Sequence, residues 1–576
     1  MRTDIYIAFI ITVTVIFYLL VLMSGRTGST RDFYISKQGV QPIARGLGLA
    51  ADWFCAATLL GFFGLISLDY PTAQWLLVGW LIGLIMLGLL IVPAIFDSGR
   101  GCLVGWVTFL FPSKALSYLM IMTLIMISLV LLMLQLKGLG LIFSRHLQVS
   151  WVAGIIIASL LLFFYTALSA IKAITRVQML KYCLLFCALS VSWVYLTSTE
   201  QESSQWSFIH ALLFQPELTS PSELSGLPRS LQTSSYLSGV ELLLTVCVLA
   251  LGVAVLPYMI KRFQGVSLSS DIKSTAIWML LFIGVIYTMI PWMATKTDTR
   301  LYQVINGPLE QGGAYSRMPN WFFLWEYTGE LSWTDYNEDG RVQWRKESPV
   351  LERDFVMPDD RMPDNFIALD NRTTPFDRVS GTQNANELKL SEEIKLLLMP
   401  ELFDMPNWII AVVIVGVTAA MLATASIVLV STVNTLVLQS AHLVRVSQHE
   451  GVFSQLVAVV LLVIATLMAT TLSGGFIEWF NRALSISAVA LFPLYVFARL
   501  VKKPPSGAIF VGMLVGLVLH LGYILSFDLA IIDQYGLGKY ALFLPIPMTF
   551  VWLLVNITTV VLLAWIMNAK RLCHKS

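Results

Sequence analysis

The sequence predicts an all-α polytopic membrane protein of about 13 transmembrane helices. They include a ten-helix (5+5) inverted-repeat core, and a large extracytoplasmic loop joins two of them. Three observations support this fold class. Hydrophobic residues make up 57% of the 576 residues and charged residues only 12%, a composition typical of chains that lie mostly in lipid. Apolar runs of about 20 residues, the length that crosses a bilayer, recur along the chain. The loops between them alternate in charge.

The apolar runs define thirteen predicted spans, numbered here in chain order. They cover residues 4–24, 46–69, 73–96, 115–136, 151–171, 175–197, 237–258, 274–295, 407–437, 452–473, 483–501, 507–527 and 542–567. An odd number of spans places the two termini on opposite sides of the membrane.

The basic residues predict the orientation. Short loops rich in Lys and Arg stay in the cytoplasm, and here every second loop is basic. This predicts a multi-pass protein of the plasma (inner) membrane, with the N-terminus outside and the C-terminus cytoplasmic. The turn after span 4 is the exception, because it carries Lys137 and Arg145 yet falls on the outer side. A formal charge of +2 gives no support for nucleic-acid binding.

Two spans contain interruptions five spans apart. Span 2 is glycine-rich and carries Asp52, and span 7 carries Gly252 and then Leu256-Pro257. An offset of five spans reverses orientation, and broken helices in two inverted repeats indicate a secondary transporter with its site near the midplane. The predicted division is residues 1–45 for helix 1 and a cytoplasmic loop, 46–200 for the first repeat, 237–296 with 406–501 for the second, 297–405 for an extracytoplasmic insertion, and 502–576 for helices 12 and 13 and the tail.

Asp52 is an ionisable residue in an otherwise apolar span. Such a group costs about 2.5 to 3.5 kcal/mol on insertion scales, so it usually faces a partner, a cavity or the bundle interior. One interpretation is structural: Asp52 caps a helix or pairs with a cytoplasmic base such as Arg45, seven residues earlier. The functional interpretation is that Asp52 attracts a cation near an unwound stretch, which the neighbouring glycines allow to open.

Span 9 provides the expected partner for span 2. Ala420, Ala423 and Thr424 have i, i+3, i+4 spacing and share one helical face, with Gly416 one turn earlier. Small residues permit close backbone approach, and alkali cations prefer oxygen ligands such as the Thr424 hydroxyl. The alternative is a small-residue packing seam with no ligand.

Four segments resemble the sodium/solute symporter family, in particular its acetate-permease branch. They are RDFYISKQGVQPIARGLGLAADWFCAATLLGF, FYTALSAIKAITRVQMLKYCL, VLPYMIKRF and AAMLATAS. The first is similar to the family pattern in which a DFY segment precedes a helix with a small-small-Asp triplet. Together the segments span both predicted repeats, roughly residues 31–500.

The resemblance implies an alternating-access symporter with sodium as the coupling ion and neither covalent chemistry nor an organic cofactor. The implied sodium site uses backbone oxygens of Ala50 and Trp53 in span 2 and of Ala420 in span 9, with the Thr424 hydroxyl. Ala423 stands where the family often has a hydroxyl residue, and Asp52 matches the carboxylate beside this site.

The substrate pocket is expected at Leu249, Val253 and Pro257 of span 7. Proline-transporting relatives have aromatic residues ahead of the matching proline, whereas this chain has aliphatic ones. This favours a small organic anion, a short monocarboxylate such as acetate, taken up from outside. The alternatives are a transporter-like membrane sensor and a proton-coupled transporter that uses Asp52. The lipid bilayer is an expected partner, and a small membrane companion subunit is a further candidate partner.

The predicted insertion at 297–405 holds 20 acidic and 11 basic residues and many aromatic ones. This composition predicts a small folded lid or docking surface. Within it, DYNEDGRVQWRKE resembles a calcium loop, with candidate ligands Asp335, Asn337, Asp339, Arg341 and Glu347. Glu347 lies one place beyond the standard twelfth position, so an acidic Asp-Gly turn without calcium is the alternative.

Overall fold

The fold is seen in a computed structural model that describes residues 41–68, 70–98, 103–168, 171–199, 239–263, 269–307, 312–335, 340–344, 387–440, 450–499, 504–530 and 545–573. Predicted span 1 (4–24) lies outside these ranges. By length and hydropathy, ten of the described helices could cross a membrane, and a bent helix pair in span 2 would make an eleventh. The predicted all-α polytopic fold is confirmed.

The helices follow the predicted spans closely. Their bounds, from span 2 to span 13, are Pro42–Trp53 and Phe62–Leu68, Tyr70–Met86 and Val92–Asp97, Lys114–Leu147, Trp151–Leu168, Ile171–Thr199, Gly239–Ala254 and Pro257–Arg262, Ser269–Asn306, Asn407–Ser440, Glu450–Thr471, Phe476–Arg499, Ser506–Ala530, and Pro545–Cys573. Single π-helical turns, Ala57–Gly61 and Leu87–Ile91, lie within spans 2 and 3. The short helix Leu103–Leu110 precedes span 4. Span 8 extends to Asn306, beyond its predicted end at residue 295, because its polar C-terminal turns remain helical and pack against the insertion.

Spans 2 and 7 are both interrupted. In span 2, half-helix 2a (Pro42–Trp53) and the following helical stretch are bent by 76°. In span 7, two residues, Val255 and Leu256, separate half-helix 7a (Gly239–Ala254) from half-helix 7b (Pro257–Arg262). Pro257 occupies the first turn of 7b, where its missing N–H costs no helical hydrogen bond. The interruption predicted from Leu256-Pro257 is therefore observed.

The glycines of span 2 have a different role from the expected one. The helix does not open at Gly46, whose absent side chain lets 2a approach span 8: a Cβ there would lie 2.5 Å from Trp278 Cβ. The backbone leaves the helix at Phe54 and Cys55 instead. The expectation that glycines open the backbone is wrong, since close helix packing is what requires Gly46.

Helix packing repeats with an offset of five spans. Half-helix 2a packs on span 8, and half-helix 7a packs on span 3, which occupies the equivalent place in the first half. Likewise, span 6 packs on 2a and on span 9, and span 11 packs on 7a and on span 4. This exchange of equivalent neighbours is the packing expected of two inverted five-helix repeats.

The described part of the insertion is folded. Strand β1 (Gly313–Ala314) pairs antiparallel with β3 (Arg341–Val342), and β2 (Leu331–Trp333) pairs with β4 (Leu388–Leu390). Helices Asn320–Glu326 and Lys395–Leu402 complete it. The insertion packs on the second half of span 2: a Cβ on Gly64 would lie 2.4 Å from the backbone oxygen of Glu392.

Buried ion pairs fasten the insertion to the spans. Arg145 of span 4 pairs with Glu401 at 2.7 Å, and its guanidinium lies 5.3 Å from the ring centre of Trp325. Lys395, whose side chain is fully buried, pairs with Asp298 of span 8 at 2.7 Å. Lys137 donates to the backbone oxygen of Leu472 at 2.5 Å. The two basic residues that broke the loop-charge pattern thus lie within the helix of span 4 and contact neighbouring structure.

We expect Glu393 to make the attachment of the insertion sensitive to pH. It is buried beside Glu330 and Lys137, accepts a hydrogen bond from the Phe476 N–H, and burial raises its pKa to about 7. Burial raises the pKa of Glu330 as well. Since the folded chain then binds more protons than the unfolded chain, stability should fall as pH rises from about 4.5 to about 7, by up to about 1.4 kcal/mol per pH unit for one such group.

We therefore expect Glu393→Gln to raise the midpoint of thermal unfolding at pH 8. The midpoint of this variant should also change less with pH between pH 5 and pH 8. Unfolding in detergent measures this across a pH series. A pH dependence identical to that of the unsubstituted protein would contradict the assignment.

Candidate functional site

The candidate site lies at the break of span 2, where side chains replace the missing helical hydrogen bonds. Thr58 Oγ1 donates to the backbone oxygen of Trp53 at 2.7 Å and accepts from the Cys55 N–H at 2.9 Å. Gln135 Oε1 of span 4 accepts from the Ala56 N–H at 3.0 Å. Unpaired backbone groups are costly inside a membrane protein, so these three contacts stabilise an otherwise unfavourable break.

Thr424 of span 9 reaches the same break. Thr424 is only 1% exposed. Its hydroxyl donates to the backbone oxygens of Asp52 at 3.0 Å and of Phe54 at 3.2 Å. Spans 2 and 9 therefore meet where the sequence predicts. The contacted oxygens belong to Asp52 and Phe54, whereas the resemblance implied Ala50 and Trp53; the Trp53 oxygen accepts from Thr58.

Ala420 and Ala423 are also buried in span 9. The Ala423 backbone oxygen accepts from Gln178 Nε2 at 3.0 Å and from Ser426 Oγ at 2.8 Å. Gly416 packs tightly on span 6, since a Cβ there would lie 2.6 Å from Ala188 Cβ. One part of this small-residue face is thus a packing seam, and the part around Thr424 contacts the break.

Asp52 is fully buried and pairs with Arg262 of half-helix 7b. The distance from Asp52 Oδ2 to Arg262 Nε is 2.7 Å. Lys181 of span 6, also fully buried, interacts electrostatically with Asp52. The carboxylate therefore interacts with two basic residues, and its ion pair with Arg262 joins the two half-helices that flank the breaks of spans 2 and 7.

The three candidate pocket residues lie in two places. Leu249 and Val253 are fully buried at the contact with span 3, where a Cβ on Gly83 would lie 2.6 Å from Val253 Cβ. Pro257 instead lines a cavity beside Tyr258, Lys261 and the end of span 9. In this conformation the first two residues are packing contacts between helices.

An aromatic cluster surrounds the break and was not predicted. Trp53 lies 6.0 Å from Trp80 and 6.2 Å from Phe480, measured between ring centres. Trp53 Nε1 donates to the Tyr287 hydroxyl at 2.9 Å, and that hydroxyl donates to the Thr58 backbone oxygen at 3.2 Å. These residues come from spans 2, 3, 8 and 11, so no local spacing could group them.

Three polar residues of the site were missed although the sequence carried a signal. Gln135, Gln178 and Lys181 are polar residues within helical spans, and all three are fully buried. The criterion that singled out Asp52, a polar side chain at membrane depth, applies to each of them.

Only part of the candidate calcium loop can be located. Asp335 Oδ2 accepts from the Gly340 N–H at 2.9 Å, Gly340 has φ +70°, and Arg341 lies in β3. Asn337, Asp339 and Glu347 lie outside the described residues. Within the described ranges, no group of three or more His, Cys, Asp or Glu side chains could hold a metal ion.

Known proteins resemble this chain in sequence. A monocarboxylic acid transporter of Corynebacterium glutamicum is 25% identical over 305 residues, covering 50% of this chain and 54% of that protein. The match thus spans about half the length of that relative. An uncharacterized symporter of Cupriavidus necator is 18% identical over 627 residues, covering 89% of this chain and 84% of the relative.

The fold also matches a solved structure, that of a Na+-coupled sialic acid symporter. The TM-score is 0.60 at 13% sequence identity, covering 96% of this chain and 97% of that one. The sequence model of the sodium:solute symporter family matches residues 33–299. This region contains the break of span 2, the Asp52–Arg262 pair and the whole of span 7. Residues 33–299 are therefore the part of the chain that is similar to the sodium:solute symporter family.

Proposed function

We propose that the protein is a sodium-coupled symporter that takes up a small organic acid by alternating access. The observation that carries the proposal is the contact of Thr424 with two backbone oxygens at the break of span 2. Carbonyl and hydroxyl oxygens are the hard ligands that alkali cations prefer. The break is built from such groups, so the residues present fit a sodium ion.

In this proposal the chain contributes oxygens and a hinge. The Thr424 hydroxyl and the backbone oxygens of Asp52 and Phe54 would hold sodium, with Ala50, Trp53, Ala420 and Ala423 as further candidates from the family resemblance. A bound sodium ion supplies a charge that couples transport to the sodium gradient. Asp52 and Arg262 hold half-helices 2a and 7b together. The non-helical residues at the two breaks, Phe54 and Cys55 in span 2 and Val255 and Leu256 in span 7, allow the angle between the helical halves to change.

Sodium-dependent uptake into proteoliposomes tests this proposal. We expect labelled acetate uptake to rise with an inward sodium gradient and to be strongly reduced in Asp52→Asn. Uptake at the same rate with and without a sodium gradient would contradict sodium coupling.

The proposed substrate is a short monocarboxylate such as acetate. It is supported by the resemblance to the acetate-permease branch and by the relative named a monocarboxylic acid transporter. A cycle of one sodium ion and one monocarboxylate is electroneutral, so a membrane potential, worth about 2.3 kcal/mol per charge at 100 mV, would not drive it. We expect no acetate-induced current on a solid-supported membrane; a sustained current would exclude this stoichiometry.

Proton coupling is the second candidate. It is favoured by the fully buried Lys181, which interacts with Asp52, because two buried titratable groups beside the break could exchange a proton. Acetate uptake driven by a pH gradient in sodium-free proteoliposomes, and lost in Lys181→Met, would support it. Uptake that requires sodium at every pH would exclude it.

Calcium binding by the insertion is a separate proposal, supported by the Asp335 contact with the Gly340 N–H. Asp335, Asn337, Asp339, Arg341 and Glu347 would supply the ligands. We expect calcium to raise the unfolding temperature of the unsubstituted protein and not that of Asp339→Ala. A calcium-dependent rise in the unfolding temperature that persists in Asp339→Ala would contradict the site.

The companion subunit, the plasma-membrane location and the outside N-terminus stay predictions.

A further inference from the structure

Two buried side-chain amides near the break of span 2 have unused hydrogen-bonding groups. Gln135 of span 4 is fully buried, and Asn481 of span 11 is 1% exposed. Among the described residues, Gln135 Nε2 and both polar atoms of Asn481 have no hydrogen-bond partner. Buried polar groups are nearly always hydrogen-bonded, so each exception needs an explanation.

The orientation of the Gln135 amide is fixed by its contact. Its Oε1 accepts from the Ala56 N–H, so the two N–H groups of Nε2 must point to the other side. The Cys55 thiol is within reach of this side chain, but sulfur is a weak acceptor. Gln135 therefore presents a donor at the break that lacks a good acceptor.

Asn481 belongs to the same region. Span 11 packs both on the π-helical turn Ala57–Gly61 and on span 4. A Cβ on Gly61 would lie 3.0 Å from Ile477 Cγ1, one turn before Asn481. The ring of Phe480 lies 6.2 Å from that of Trp53. Two amides thus come from helices that both pack at the break of span 2, where the aromatic cluster also lies.

We propose that Gln135 and Asn481 bind the carboxylate of the transported anion. Their NH2 groups would donate to its two oxygens, and the neighbouring aromatic rings would cover its short apolar part. This inference rests on the proposed function. Neutral amides supply no positive charge, so the coupling ion near Thr424 would balance the carboxylate, which would explain why the anion needs a co-transported cation.

The amide atoms are shielded in the present packing. The anion would reach them only when span 11 separates from the break of span 2. Access would therefore depend on the same hinge that the proposed transport cycle uses.

Substitutions at the two amides test the site against a purely structural role. Removing a buried polar group that lacks a partner is neutral or stabilising, so Asn481→Leu should keep or raise the unfolding temperature. We expect the KM for acetate to rise by about tenfold or more in Asn481→Leu, since hydrogen bonds to charged groups are strong. Gln135→Glu keeps the acceptor for Ala56 but replaces the donor with a negative charge, and should raise the KM further.

Ser487→Ala is the matched control, because Ser487 is another fully buried residue of span 11 whose hydroxyl has no partner among the described residues. Its KM should be unchanged. Wild-type KM values in both Asn481→Leu and Gln135→Glu would overturn the inference. If the unsubstituted protein shows no acetate uptake, the proposed function fails first, so the two failures are distinguishable.

A competition measurement needs no variant. Propionate in excess should inhibit labelled acetate uptake, and propionamide should not, because the site requires a carboxylate. Equal inhibition by propionamide would overturn the inference.

Discussion

Replacing Arg262 with glutamine is expected to lower the free energy of unfolding by about 3 to 5 kcal/mol. Arg262 pairs at 2.7 Å with Asp52, which is fully buried. Removing Arg262 takes away the direct partner of the buried Asp52 carboxylate and leaves only the electrostatic interaction with Lys181. The loss of one member of a buried ion pair costs more than the pair itself contributes. Thermal and denaturant unfolding of the purified protein in detergent measures the loss.

The double variant Asp52→Asn/Arg262→Gln is the control for this prediction. It removes both charges, so it should be more stable than Arg262→Gln alone while still impaired in sodium-dependent uptake. Additive losses of stability in the double variant would show that the two residues are not coupled. They would contradict the role assigned to the pair.

Replacing Gly252 with alanine is expected to cost about 1 to 3 kcal/mol of stability and to reduce uptake strongly. A Cβ at this position would lie 2.3 Å from the backbone oxygen of Leu484, so half-helix 7a and span 11 would have to separate. This contact lies one turn before the break of span 7. The substitution should therefore alter the part of the molecule that the proposed cycle moves.

Gly284→Ala is the matched control. Gly284 lies within span 8 and a Cβ there would meet nothing within 4 Å, so alanine should be neutral or stabilise by up to about 1 kcal/mol through helix propensity. Equal effects of the two substitutions on unfolding and uptake would contradict the close approach at Gly252.

The sequence predicts the spans well because each is a local apolar run. The break of span 7 is local too, since Pro257 cannot continue the helix that precedes it. The break of span 2 contains no proline. It depends on Thr58, on Gln135 of span 4 and on Thr424 of span 9, contacts over up to 372 positions of sequence. Its position at Phe54 and Cys55 could therefore not be read from the glycines.

The candidate site was predictable as a region and less so in its contacts. Asp52 could be identified because an ionisable residue in a membrane span is rare. Thr424 could be identified from its spacing with Ala420 and Ala423 and from the family resemblance. The partner of Asp52 could not be identified from the sequence. Arg262 lies 210 positions away, and its sequence context is that of an ordinary basic loop residue. The basic residues in the last turns of span 4 show the converse. Lys137 and Arg145 appeared to contradict the loop-charge pattern, but Lys137 donates to the Leu472 backbone oxygen and Arg145 pairs with Glu401 of the insertion.

The central claim is that the contact between Thr424 and the break of span 2 forms the sodium-coupling site. The most direct test is the sodium concentration that gives half-maximal acetate uptake in proteoliposomes, compared between Thr424→Ala and Thr432→Ala. Thr432 is a buried threonine of the same helix whose hydroxyl donates to the Val428 backbone oxygen. The account predicts a much higher half-maximal sodium concentration for Thr424→Ala and an unchanged value for Thr432→Ala. An unchanged value for Thr424→Ala would contradict it.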